Sequence, residues 1–186
     1  MEKKTDLRIV KTKKRIKQVF LELIEKKELK KITVTEIART AEINKGTFYL
    51  HYKDIYELYA EVLMEEINNC VDNISYFDEF FSDPEAFLFH FYYEFNDRKG
   101  AKADALIYGY ENSDGSMFAE LFCDALMRKI YEQKLIERNE ENDIKLEYIF
   151  TNIFCFIRAK SSELKYPILS KLIVSDIRTA FPEAFE

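Results

Sequence analysis

Apolar residues recur at spacings of three and four along most of this 186-residue chain, the period at which side chains share one face of an α-helix. The first such pattern predicts a helix from Asp6 to Lys27. Its apolar face contains Ile16, Val19, Phe20, Leu23 and Ile24, and its other face carries Arg8, Lys11, Lys13, Lys14, Arg15 and Lys17. This first predicted helix is therefore amphipathic, with a strongly basic polar face.

Helix-capping residues predict where the next helices begin. A Ser, Thr, Asp or Asn before a helix caps its free N–H groups, and an acid three residues later completes a capping box. Thr33 with Glu36 predicts a helix that begins at Val34. Asn44 predicts a helix from Lys45 to about Tyr52. Asp54 with Glu57 predicts a helix from Ile55 towards Asp72. The first two of these helices are joined by a tight turn.

The remainder of the chain predicts larger helices that are richer in apolar residues. After the Asp-Pro-Glu helix start at 83–85, helices are expected over 86 to about 96, about 102–109, 118 to about 136, about 143–160 and 167–181. The run Phe-Leu-Phe-His-Phe at 87–91 also fits a strand, but the proline start and the total length favour a helix. With 4 Gly and 3 Pro, an all-β fold is disfavoured because it needs frequent turns, so we expect an all-α fold.

Composition excludes several classes of protein. Hydrophobic residues make up 47% and charged residues 33% of the chain, a globular balance. Cys70, Cys123 and Cys155 contain no C-x-x-C pair, which argues against a disulfide framework or a zinc site and fits a reducing cytoplasm. The longest stretch without a charge, 148–157, is too short to span a membrane, and no signal peptide is visible. We therefore expect a cytoplasmic protein without a metal or cofactor.

Charge is distributed unevenly along the chain. A net charge of −6 would by itself count against nucleic-acid binding. Residues 1–60, however, contain 15 Lys and Arg against 9 Asp and Glu, a net charge of +6, whereas residues 61–186 contain 13 against 25, a net charge of −12. The basic part holds the short capped helices, so this part is the candidate for contact with nucleic acid.

Two short helices joined by a tight turn form a helix-turn-helix pattern, in which the second helix enters the major groove of DNA. On that second helix Phe48 and Tyr52 share a face and are expected to point inward, while Gly46 lets the backbone approach a phosphate. The other faces present Lys45, Thr47, Tyr49 and His51. Alternatively, the Thr-Phe-Tyr triplet has only the ordinary core and surface positions of a short helix. The basic first helix, the capping boxes and the charge distribution favour DNA binding.

Residues 8–64 resemble the DNA-binding domain of the TetR/AcrR family of transcriptional regulators. The resemblance rests on Ile-Thr-Val-Thr-Glu-Ile-Ala at 32–38 and Asn-Lys-Gly-Thr-Phe-Tyr-Leu-His-Tyr-Lys at 44–53. It implies a helix-turn-helix at 33–52 in a three-helix DNA-binding head, a larger helical body that binds a small ligand, and a homodimer. The residues that it implies to face DNA are Thr35, Lys45, Gly46, Thr47, Tyr49, His51 and Lys53.

Three positions depart from the pattern of that family. Glu28 stands where a glycine usually ends the first helix, and Glu42 stands where a glycine usually makes the turn. Ile55 replaces a frequent lysine that contacts phosphate, with Lys53 as the candidate substitute. The two glutamates are expected to weaken local turn geometry, and the isoleucine is expected to remove one contact with the DNA backbone.

Residues 65–186 contain 14 of the 16 phenylalanines and most of the tyrosines. Such residues line apolar ligand pockets, but they also form ordinary cores, and for each one individually the core is the better expectation. The pocket candidates are Phe91, Tyr92, Phe95, Tyr108, Phe122 and Phe154.

The last two predicted helices carry broad apolar stripes, and in the resembling family they form the dimer interface. The interface candidates are Ile153, Ile157, Leu169, Leu172 and Ile173.

The resulting hypothesis places a DNA-binding domain at 1–60 and a ligand-binding and dimerisation domain at 61–186. It predicts a homodimeric transcriptional repressor that leaves a pseudo-palindromic operator when a small-molecule effector binds. The alternatives are a transcriptional activator of the same family and a helical adaptor protein that does not bind DNA. An enzyme is not expected, because no Ser/Cys–His pairing, Gly-rich phosphate loop or metal-ligand spacing is visible.

Overall fold

The computed structural model describes residues 7–97, 116–158 and 166–185, apart from the side chains of 95–97, 116 and 156–158. Every regular element within those ranges is a helix, which confirms the all-α fold class. None of the described helices is long and apolar enough to cross a membrane. The helix predicted at about 102–109 lies outside the described residues.

Residues 7–66 form one compact unit of the described chain, called the head. Its helices are α1 (Leu7–Ile24), α2 (Val34–Thr40), α3 (Lys45–Tyr49) and the first part of α4 (Ile55–Asp72), with a 3₁₀ turn at Leu29–Lys31 between α1 and α2. Apolar positions of all four helices are buried together: Ile16, Val19, Phe20, Ile37, Phe48, Leu58 and Val62. The amphipathic pattern of α1 therefore faces the core as predicted.

The predicted caps set the starts of α2, α3 and α4. The cap oxygens of Thr33, Asn44 and Asp54 accept from the N–H group three residues later at 3.2, 2.7 and 2.9 Å. Since α2 begins at Val34, α3 at Lys45 and α4 at Ile55, all three predicted helix starts are confirmed. The Glu36 carboxylate, which was expected to complete the capping box with Thr33, binds the ammonium of Lys27.

Residues 67–97, 116–158 and 166–185 form a second compact unit, called the body, and the division falls within α4. Its further helices are α5 (Glu79–Ser82), α6 (Pro84–Asp97), α7 (Ser116–Glu132), α8 (Glu140–Arg158) and α9 (Tyr166–Ala180), followed by a 3₁₀ turn at Pro182–Phe185. The body core is rich in aromatic rings: Phe77, Phe80, Phe87, Phe122, Phe150 and Phe181 are buried. The segment 87–91 is helical, so the strand alternative is wrong.

Two features of the body differ from the sequence-based expectations. The single-turn helix α5 was not predicted. Helix α7 ends at Glu132 rather than near 136, because Lys134 has a φ of 55° and ends the helical path. The Leu135 N–H then donates to the Ile130 carbonyl at 3.1 Å, which closes the helix end.

A buried lysine of α7 binds the carboxyl end of α4. Lys129 is only 7% exposed, and its ammonium donates to the carbonyls of Val71, Asp72 and Ile74 at 2.6, 2.9 and 3.1 Å. Carbonyls at the end of a helix lack partners within the helix and carry its partial negative charge. Lys129 therefore satisfies the end of α4 inside the body. Next to it, Arg128 donates to the Asp72 carboxylate at 3.0 Å.

Candidate nucleic-acid interface

A Schellman turn reverses the chain between α2 and α3. The Ile43 N–H donates to the Ala38 carbonyl at 2.9 Å, and the Glu42 N–H donates to the Arg39 carbonyl at 3.2 Å. This pair of bonds commonly closes a helix, with glycine at the position that Glu42 occupies here. Glu42 has a φ of 59°, in the left-handed region that glycine adopts without strain. The turn therefore forms with glutamate in place of glycine, at the cost of local backbone strain.

Asn44 organises the first turn of α3. Its Oδ1 atom accepts hydrogen bonds from the Thr47 N–H at 2.7 Å and from the Thr47 hydroxyl at 2.9 Å. A Cβ atom at Gly46 would lie 3.3 Å from the same oxygen, so the glycine leaves room for the cap. Lys45 and Gly46 are exposed at the start of the helix, whereas Thr47 is half-buried and its hydroxyl is engaged by Asn44.

One side of α3 is anchored in the head and the other side is exposed. Phe48 and Tyr52 are buried as predicted, with ring centroids 5.7 Å apart. Tyr49 packs edge-on against Phe48 at 5.6 Å, yet 57% of Tyr49 is exposed. Leu50, which follows α3 directly, is 82% exposed and was not among the predicted site residues. The anchored rings thus hold Tyr49 and Leu50 at the surface, where an apolar contact with a thymine methyl is chemically available.

The structure places all of the predicted DNA-facing residues on the head, in or beside the helix-turn-helix. Those that are exposed are Thr35, Lys45, Gly46, Tyr49 and Lys53. Thr47 and His51 are half-buried, and the His51 ring lies 6.5 Å from the ring of Tyr52. Five of the seven side chains or backbone positions are therefore open to a partner.

Part of the positive charge of α1 is neutralised within the head. Lys13 and Lys17 both bind the Glu61 carboxylate of α4, and Lys17 also binds Glu65. Burial alone would raise the pKa of Glu61, but the hydrogen bonds from the two lysines outweigh burial and lower it. For Lys17, burial opposes the charged form, yet its bonds with Glu61 and Glu65 raise its pKa. These lysines hold α1 against α4, so the uneven charge along the sequence overstates the charge offered to DNA.

The two remaining departures from the family pattern have different consequences. Glu28 has φ −58° and ψ 144°, an extended conformation that any residue adopts, so no glycine is needed there. Its carboxylate binds Lys30 and Lys31 of the 3₁₀ turn, at 3.4 and 3.0 Å. Ile55 is half-buried at the first position of α4 and offers no charge. The predicted weakening of the turn at Glu28 is therefore wrong.

Three of the four described pocket candidates lie in a stack of aromatic rings. Phe91, Phe122 and Phe154 are buried, and Phe118 connects the last two, with centroids 5.4 Å from Phe122 and 5.6 Å from Phe154. Phe91 lies 6.0 Å from Phe122. Tyr92 is half-buried against Tyr166 at 4.8 Å. The side chain of Phe95 and all of Tyr108 lie outside the described residues.

Among the interface candidates, exposure varies widely. Ile153 and Ile173 are buried within the chain itself, so their side chains have almost no surface left for a partner. Leu169 is half-buried, and Leu172 is 56% exposed. The side chain of Ile157 lies outside the described residues.

No group of three or more His, Cys, Asp or Glu side chains in the described ranges is placed to hold a metal ion. Burial raises the pKa of Cys123 to about 11, so this thiol is protonated at neutral pH. Cys155 is exposed on α8.

Comparison with known proteins agrees with this geometry. Residues 20–62, which span most of the helix-turn-helix head, match the family profile described as "Bacterial regulatory proteins, tetR family". An uncharacterized HTH-type transcriptional regulator of Bacillus subtilis (strain 168), YxbF, is 31% identical over 75 residues, which cover 40% of this chain and 20% of that protein. The chain thus spans about a fifth of the length of this curated relative.

The similarity in fold to one solved structure extends over both units. A TetR transcriptional regulator from Rhodococcus sp. RHA1 has the same fold, with a TM-score of 0.54 at 16% identity over 92% of this chain and 95% of that chain. NalD, described as the secondary repressor of the MexAB-OprM multidrug efflux pump in Pseudomonas aeruginosa, aligns with a TM-score of 0.46 at 16% identity over 95% of this chain and 96% of that chain. Residues 20–62 thus match the profile of the TetR family of bacterial regulatory proteins, and the described residues share the all-α fold of a TetR regulator.

Proposed function

We propose that this protein is a homodimeric repressor that binds a pseudo-palindromic DNA operator through its two heads and leaves it when a small molecule binds the body. DNA binding is assigned to residues 1–60, and ligand binding and dimerisation to residues 61–186. The site of action is the cytoplasm, where bacterial DNA lies. The observation that carries the proposal is the anchoring of α3, which buries Phe48 and Tyr52 and leaves Lys45, Gly46 and Tyr49 exposed.

The chemistry of the exposed residues matches the two kinds of contact that DNA requires. Lys45 and Lys53 are cations suited to phosphates, and the exposed backbone at Gly46 allows a phosphate to approach closely. The ring of Tyr49 suits a thymine methyl and its hydroxyl suits a base edge or a phosphate. Thr35, Thr47 and His51 complete the proposed contact set.

Dimerisation is proposed to use α8 and α9, through exposed positions that carry no charge. On α8 these are Ile144, Tyr148, Thr151 and Cys155, and on α9 they are Ile168, Leu172, Ser175 and Thr179. The Tyr148 hydroxyl donates to the Asp176 carboxylate at 3.2 Å and so connects the two helices at this surface. Uncharged stripes on two adjacent helices suit a four-helix interface between identical subunits. In this arrangement Ile153 and Ile173, which are buried within the chain, pack beneath the exposed interface residues.

Effector binding is proposed for the body, close to the aromatic stack that contains Phe91, Phe122 and Phe154. Apolar and aromatic linings with a few hydroxyl groups are typical of small-molecule sites. An effector that binds better to the DNA-free conformation shifts the population towards it and weakens operator binding.

DNA binding is tested with duplexes enriched by the wild-type protein from a random pool. Tyr49→Ala and Lys45→Ala are expected to lower affinity for the enriched duplex by at least tenfold, whereas Lys26→Ala, which removes an exposed lysine of the same head outside the proposed set, leaves it unchanged. Circular dichroism of each variant checks that the head remains folded. Wild-type affinity in both test variants would overturn the assignment of α3 as the recognition helix.

The oligomeric state is tested by sedimentation. Leu172→Glu places a charge in the proposed interface and is expected to give a monomer, while Phe89→Glu, at an exposed apolar position of α6 outside the stripes, is expected to remain a dimer. A dimeric Leu172→Glu variant would place the interface elsewhere.

A further inference from the structure

A small groove in the head lies beside the exposed end of α3. It has a volume of about 160 Å³ and is bounded by the 3₁₀ turn, the start of α2, the end of α3 and the start of α4. Buried apolar residues, among them Leu29 and Ile32, form part of its wall. Its polar lining includes Lys30, Tyr49 and Lys53. Tyr56, at the second position of α4, adds a further phenol group.

The charge of this groove favours an anion. Lys30 and Lys53 bring two ammonium groups, and Asp54 is the acid of the lining. The Asp54 carboxylate, however, already caps α4 by accepting from the Glu57 N–H at 2.9 Å. Its negative charge is therefore engaged by the helix end, where an acid is stabilised by the helix dipole.

The existing partner of Lys30 is easily exchanged. Lys30 Nζ lies 3.4 Å from Glu28 Oε2, and both side chains are more than half exposed. Ion pairs of this kind contribute little, because water and salt screen them. Glu28 also binds Lys31 at 3.0 Å, so it keeps a cationic partner when Lys30 turns towards another anion.

We propose that this groove binds a phosphodiester of the DNA backbone, with Lys30 and Tyr56 as contact residues in addition to Lys53. The proposal rests on the proposed function, because Tyr49 belongs both to the recognition helix and to the groove wall. DNA that contacts Tyr49 brings its backbone past the groove, and ammonium and phenol groups are common donors to phosphate oxygens. Ile55 at the start of α4 offers no charge, and Lys30 of the 3₁₀ turn supplies a cation to the same groove.

The test is the salt dependence of affinity for the enriched duplex and for an unrelated duplex of equal length. The slope of log K against log [salt] is negative, and each lost cation–phosphate contact makes it shallower by about 0.9. Lys30→Gln is expected to make the slope shallower by about that amount on both duplexes. Lys31→Gln is the matched control, because Lys31 belongs to the same turn, is exposed and does not line the groove. It is expected to leave the slope unchanged.

Tyr56→Phe removes only a hydroxyl group, so the expected result is a three- to tenfold loss of affinity at about the same slope, the effect of one lost hydrogen bond. A wild-type salt slope in Lys30→Gln, or an equal change of slope in Lys31→Gln, would overturn the proposal for the groove while leaving the proposed function intact. If the wild-type protein bound no duplex in a salt-dependent way, the proposed function would fall and the groove with it. Weakening of wild-type DNA binding by inorganic phosphate, compared with chloride at equal ionic strength, is expected to disappear in Lys30→Gln.

Discussion

Replacement of Lys129 by methionine tests whether the buried ammonium stabilises the body. Methionine keeps an unbranched side chain of similar length but removes all three donors from the carbonyls of Val71, Asp72 and Ile74. A hydrogen bond to a charged group contributes about 1.5–3 kcal/mol, and an unsatisfied buried carbonyl costs about 1–3 kcal/mol. Two facts reduce the total loss of stability expected from these values. Burial lowers the pKa of Lys129 through desolvation of the ammonium, and the Val71 carbonyl also accepts from the Ile74 N–H at 3.2 Å.

We therefore expect Lys129→Met to lower the free energy of unfolding by about 2–4 kcal/mol, which for a chain of this size corresponds to a fall in Tm of about 5–15 °C. Urea and thermal denaturation followed by circular dichroism measure both quantities. Lys171→Met, at an exposed position of α9, is the control and is expected to change stability by less than about 0.5 kcal/mol. A loss below about 1 kcal/mol in Lys129→Met would refute the role assigned to the three carbonyl bonds.

Three further predictions concern the head. Glu42→Gly relieves the left-handed backbone at φ 59° and is expected to raise stability by about 0.5–1 kcal/mol, measured as an increase in Tm. Tyr52→Phe removes a buried hydroxyl that has no hydrogen-bond partner among the described residues, so denaturation is expected to show equal or slightly higher stability, and a marked loss would contradict this. The pKa of Glu61 is lowered in the fold, so its contribution to stability is present above its unfolded pKa and is lost as pH falls through the folded value. Stability is expected to decline below about pH 4.5, and less steeply in Glu61→Gln.

Features set by neighbouring residues were predictable from the sequence. The starts of α2, α3 and α4 follow from side chains at Thr33, Asn44 and Asp54 that cap N–H groups three residues away, so a short window contains the whole interaction. The inward face of α3 follows from helical spacing alone.

Features that depend on contacts between distant parts of the chain were not predictable in this way. Lys129 sits on an apolar helix, and only the fold brings the end of α4 to it. The pairing of Lys17 with Glu61 and Glu65 removes charge that the sequence count assigned to the DNA-binding surface. The sequence likewise does not distinguish Lys30 from other basic residues, and only the fold places it in the same groove as Tyr49.

Selection of duplexes from a random pool by the wild-type protein tests the central claim most directly. If two heads present α3 to successive major grooves, sequencing should recover a pseudo-palindromic site whose half-sites are centred about 10–10.5 base pairs apart, or a multiple of that spacing. The same selection with Tyr49→Ala should lose the enrichment at the half-sites. Recovery of no preferred sequence, or of an identical site by both proteins, would contradict the assignment of α3 as the element that reads DNA.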